Sequence, residues 1–117
     1  PWDTGLSGAI EKPIIDANIG LTPSNNGEII RCVVPALTED RRKDLIKKAK
    51  ASGEGVKVTI RNARRDAIEL IKKAQKNDGM PEDTAKEAEV EVQKATDKHV
   101  KKVDEKVSAK EKEILVV

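Results

Sequence analysis

Apolar residues in the middle of this chain recur at Leu45, Ala49, Val56, Ile60, Ala63, Ala67, Leu70 and Ala74, in steps of three, four or seven. That spacing gathers them on one stripe of an α-helix. Thr38 is a good N-cap, and Glu39 and Asp40 follow in the first turn, where carboxylates suit the helix dipole. The pattern predicts a helix over about 38–78, roughly 60 Å long at 1.5 Å per residue. Gly53 and Gly55 each weaken it by about 1 kcal/mol relative to alanine, which predicts a bend or soft spot. Gly79 in "NDGM" is the natural residue after its end. Pro81-Glu82-Asp83 opens a second helix over about 81–115, with apolar positions at Ala88, Val92, Ala95, Val103, Val107 and Ile114. So short a link makes the two helices antiparallel neighbours. Their stripes are too wide to cover each other completely, so a third helix or a partner is expected on the open side.

The first 36 residues have a different texture, broken by glycine and proline in "DTGLSG", "IGLTPSNNGE" and "VPAL". Ser7 to Ala17 reads as a short helix with Ser7 as its N-cap, although Pro13 removes a donor inside it. Asn26-Gly27 signals a turn, and the β-branched run "EIIRCVV" after it predicts one strand. One helix and one strand do not close a domain. The expected class is therefore mainly α: a long antiparallel helical hairpin over residues 37–117, with a small α/β remnant over 1–36.

Composition agrees with long exposed helices, since charged residues make up 38% of the chain and aromatics 1%. A core of Ile, Val, Leu and Ala is thin for a chain of 117 residues. The net charge of +2 conceals an asymmetry. Residues 1–38 hold two basic and four acidic side chains, 39–65 ten and four, and 66–117 eleven and thirteen. One segment carries the basic character, which points to a polyanion, nucleic acid first.

Projected on the first long helix, Lys43, Lys47, Lys50, Lys57, Arg61, Arg64 and Arg65 form one ridge beside the apolar stripe, interrupted mainly by Glu54. Two readings remain. The ridge is either a solvated face paired with acids of the neighbouring helix, or a set of phosphate contacts. No aromatics interleave it, so base stacking is not expected; shape and backbone recognition fits better.

Other chemistry finds no support. Cys32, the single cysteine, excludes an internal disulfide and sits in an apolar run that predicts a buried thiol. His99 is the lone histidine, expected near the apolar face as a satisfied imidazole without metal or catalytic partners. The carboxylates of the last helix alternate with lysines, as solubilising pairs do. "GLSGA" lacks the spacing and lysine of a phosphate loop. The expectation is a protein that is not an enzyme and carries no metal, cofactor or small-molecule substrate. No apolar run approaches the roughly 18 residues of a membrane span, and no signal-peptide pattern opens the chain. A soluble, intracellular protein is expected.

Three segments in order, "ANIGLTPSNNGEIIR", "PALTEDRRKDL" and "VTIRNARRDAIELIKKA", closely resemble the ribosome recycling factor family. The resemblance implies a long three-helix bundle with a small β/α/β domain inserted between its first and second helices. This chain would then begin inside the inserted domain, and residues 37–117 would be the second and third bundle helices. It further implies a cytoplasmic, bacterial-type factor that binds large-subunit rRNA and splits post-termination ribosomes with elongation factor G. Arg61, Arg64 and Arg65 would be the rRNA contacts of the "RNxRRD" motif, and Pro35, Ala36, Leu37 and Thr38 a hinge. The alternative is a helical hairpin that docks on a protein partner, its ridge serving solubility. Pro13, Gly53, Gly55 and Pro81 depart from the family's usual residues. Without a first helix, the apolar faces around Ile60, Ala67, Val92 and Val103 would lie open.

Overall fold

The structure, a computed structural model, describes residues 1–116; Val117, the last residue of the expected helical region, lies outside them. The chain divides into two compact units, Pro1–Leu37 and the part from Thr38 onward.

The first unit begins with a 3-10 turn at Thr4–Leu6, capped by Asp3, whose carboxylate accepts from the Gly5 N–H at 2.8 Å. Helix α1 (Ser7–Asp16) follows directly. Ser7 is thus not the N-cap that its residue type suggests: the preceding turn already feeds the helix, and Ser7 is its buried first residue. Pro13 is accommodated within the helix.

Two strands stand where one was expected. Strands β1 (Thr22–Asn25) and β2 (Ile30–Val33) pair antiparallel, with Thr22 opposite Val33 and Asn25 opposite Ile30. The loop between them is organised by asparagine side chains. Asn26 Oδ1 accepts from the N–H groups of Glu28 and Ile29 at 3.0 and 2.9 Å, and Gly27 adopts a φ of +90°. Pro23 is buried in β1; a two-stranded ladder has an unpaired edge on each strand, where a missing donor is tolerated. The Asn25 amide donates to the Glu11 carboxylate at 3.1 Å and ties the hairpin to α1. Cys32 is exposed, contrary to the expected buried thiol. The β-branched run that flanks it is itself mostly exposed, Ile30 alone of the four β2 residues being half-buried.

The second unit is a hairpin of two long helices, α2 (Glu39–Asn77) and α3 (Glu82–Val116). Thr38 caps α2, its hydroxyl accepting from the Arg41 N–H at 3.2 Å. Gly79, at a φ of +69°, ends it, and the N–H groups of Asp78 and Met80 turn back to the Ala74 carbonyl at 3.0 and 3.3 Å. Proline precedes α3, and its carbonyl accepts the first helical bond from Ala85 at 3.0 Å.

Gly53 is not a soft spot. Helix α2 runs through it unbroken, and Gly53 is buried against α3. A Cβ there would stand 2.6 Å from Val107 Cγ2. Glycine lets the helices approach at this level, an effect a propensity scale does not contain. Gly55, two residues on, faces open space. Opposite outcomes are expected. Gly55→Ala should raise the stability of the full-length protein by about 0.5–1 kcal/mol. Gly53→Ala should lower it by about 1–2 kcal/mol, because a helical valine has one strongly preferred rotamer and the methyl cannot easily yield. Chemical unfolding followed by circular dichroism reads both; a stabilising Gly53→Ala would refute the close approach.

Candidate nucleic-acid interface

The α2–α3 seam sets where every basic residue of α2 points. Ile60, Arg64, Ala67, Ile71 and Ala74 are half-buried along it on α2, as are Val92, Val100, Val103 and Val107 on α3. Around α2, at about 100° per residue, the seam separates two flanks. On one side Ala49, Val56, Ile60, Ala63 and Ala67 face an open apolar groove, with Arg64 at its edge. Lys43, Lys47, Arg61 and Arg65 occupy the other.

The ridge divides once α3 is in place. Lys57 reaches across the seam to Asp104 and also pairs with Glu54 at 3.2 Å; its side chain is only 15% exposed. Hydrogen bonds that its ammonium donates to Asp104 and Glu54 raise the Lys57 pKa above its ordinary value, so Lys57 is held charged. Lys50 pairs with Glu111 of α3 at 3.4 Å. These two lysines belong to the helix–helix contact. Lys43, Lys47, Arg61 and Arg65 are exposed, and none has a carboxylate within 4.0 Å among the described residues. Arg64 is half-buried at the seam beside Thr96 and His99. The reading of the ridge as a paired face therefore holds for Lys50 and Lys57, while Lys43, Lys47, Arg61 and Arg65 are left unpaired among the described residues.

Arg42, not singled out from sequence, donates its guanidinium to the Ile114 carbonyl in the last turn of α3. It satisfies a carbonyl left without a helical partner and sets a cation at a helix C-terminus. A projection of α2 alone cannot reveal this, because the partner is the far end of another helix.

His99 is exposed at the groove rim, where its Nδ1 lies 2.7 Å from the Ala95 carbonyl and donates to it. No group of three or more potential metal ligands occurs among the described residues. Among the described residues, no helix is long and apolar enough to cross a membrane.

The open flank forms two shallow grooves of about 350 and 360 Å³. Ile60, Ala67 and Val92 line one, and Val56, Val103 and Val107 the other. Ile60, Ala67, Val92 and Val103 are thus left only half-covered by the hairpin.

Fold and surface together define a class: a helical scaffold with one cationic edge, in a chain that also contains a small α/β unit. The sequence model of the family described as "Ribosome recycling factor" matches residues 1–115. Ribosome-recycling factors of Parabacteroides distasonis and Porphyromonas gingivalis are 54% and 55% identical to the chain over all 117 residues, which span 63% of each relative. That of Clostridioides difficile is 54% identical with the same coverage. A solution structure of the ribosome recycling factor superposes with a TM-score of 0.67 at 39% identity, covering 99% of this chain and 61% of that one. The chain belongs to the ribosome recycling factor family, whose members are translation factors and not enzymes. It spans less than two thirds of the length of these relatives.

Proposed function

We propose that this chain supplies the ribosome-binding helices of a recycling factor. In this reading, α2 and α3 are two of the three helices of a bundle that binds large-subunit rRNA. With elongation factor G, the full-length protein splits post-termination ribosomes in the cytoplasm. Residues 1–36 belong to a small domain, and Pro35 to Thr38 form the hinge on which it swings. Val34 to Thr38 carry neither helix nor strand, which suits such a role. The open apolar flank is covered by the bundle's remaining helix.

The observation that carries this reading is the family match across 1–115, combined with four α2 cations that no carboxylate neutralises among the described residues. Lys43, Lys47, Arg61 and Arg65 are the members of the ridge we assign to phosphate, with Arg64 beside them. Lys50 and Lys57 hold the hairpin together. The mechanism is mechanical, and nucleotide hydrolysis by the partner factor supplies the energy.

Co-sedimentation of the full-length protein with large ribosomal subunits, at constant magnesium and rising monovalent salt, tests it. Four phosphate contacts give a slope of about −4 in log affinity against log salt. Pelleting that ignores salt, or none at all, would favour a protein-docking hairpin instead.

A further inference from the structure

The ion pairs across the seam form a ladder with a heptad step. Lys50 pairs with Glu111, and seven residues further along α2, Lys57 pairs with Asp104, seven residues earlier on α3. The next rung in this antiparallel register is Arg64 with Asp97. It has the right charges, yet it is not closed.

Asp97 is occupied elsewhere. Its Oδ1 accepts a hydrogen bond from Gln93 Nε2, one turn earlier on the same helix, at 2.9 Å. Neither Arg64 nor Asp97 takes part in an ion pair among the described residues. The polar neighbours of Arg64 in the groove are also engaged: the Thr96 hydroxyl donates to the Val92 carbonyl at 2.9 Å, and His99 Nδ1 to that of Ala95. Arg64 thus lies half-buried at the seam with a planar set of donors and no anion. Such a group favours bidentate binding of a phosphate, and a closed rung would compete for the same donors.

We propose that Gln93 is a positioning residue: by holding Asp97 along α3, it keeps the third rung open and leaves Arg64 available to an RNA phosphate. This rests on the reading that the ridge binds rRNA. The step from lysine to arginine along the ladder separates the two uses of the same register. The lysine rungs are closed on acids and fix the hairpin, and the arginine rung is kept for the partner.

The test uses full-length protein and isolated large ribosomal subunits. Gln93→Ala frees Asp97 to close on Arg64, and affinity should fall about threefold, as for a partly exposed ion pair. Adding Asp97→Asn removes the competitor and should restore parental affinity, although the Gln93 side chain is still missing. In an Arg64→Ala background, Gln93→Ala should have no further effect. A purely structural role for Gln93 predicts the reverse: a loss that Asp97→Asn does not rescue and that persists without Arg64. Parental affinity in Gln93→Ala, or failure of the rescue, overturns the proposal while leaving rRNA binding intact. Arg64→Ala without effect on affinity removes Arg64 from the interface, and this inference with it. Salt-insensitive pelleting of the parent refutes the reading beneath both.

Discussion

Full-length protein carrying Arg61→Glu and Arg65→Glu together should bind large ribosomal subunits at least about 100-fold more weakly than the parent, because two charge-assisted hydrogen bonds are lost and two like charges replace them. The salt slope should flatten by about 2, one unit for each phosphate contact removed. Both side chains are exposed and neither is paired among the described residues, so the helical spectrum and unfolding midpoint should barely move. The contrast lies one or two turns back on the same helix. Lys57→Gln removes a cation from the same ridge, but one already neutralised by Asp104 and Glu54. It should lower the unfolding midpoint and leave the salt slope nearly unchanged. If the two variants behaved alike, charge alone would govern binding and the division of the ridge would be refuted.

That division marks where sequence reading reaches its end. A helix projection places residues on a circle, on which Lys50, Lys57 and Arg64 fall nearest the apolar stripe. Nearness to the stripe is also nearness to the other helix. Whether a cation there meets a carboxylate depends on the register of α3, which periodicity leaves free. In the register observed, Glu111 and Asp104 stand opposite Lys50 and Lys57, and nothing in α2 announces them. The bond from Arg42 to the end of α3 was hidden for the same reason. Helix bounds, by contrast, were plain, since the caps that set them are local: Thr38 before α2, Gly79 after it and Pro81 before α3.

Three other expectations failed on tertiary grounds. Gly53 was weighed by propensity, a property of an isolated helix, whereas its role is decided by a Val107 methyl on another element. Strand β1 is not announced by its own residues, since "TPSN" contains a proline and little β-branching; its pairing comes from the Asn25–Ile30 hairpin, not from its own preference. Cys32 was placed in a core on the strength of its apolar neighbours. A strand buries those side chains only where a layer covers them, and most of β2 is exposed. Each error treats a local pattern as if it carried its own partner.

The same distinction leads to the largest expected effect on stability. The 117 residues alone should not unfold as a monomer in one sharp transition. Among the described residues, the buried apolar side chains are only Pro23 in the first unit and Ala85 and Ile114 in the hairpin. Along the open flank Val56 is 47% exposed and Leu70 67%. Fixing each backbone residue costs about 1–2 kcal/mol in conformational entropy, and a hairpin buried on one side recovers little of it. Helix propensity and the caps should preserve a helical far-ultraviolet spectrum. Packing should be loose, with a broad thermal transition and binding of a hydrophobic dye. The exposed grooves beside Ile60 and Val103 should also drive self-association, so sedimentation coefficients should rise with concentration. In the proposed bundle the remaining helix covers the flank, so full-length protein should show none of these features. A cooperative, concentration-independent melt of a monomeric 117-residue product would show that the α2–α3 seam is sufficient, and that the grooves need no occupant.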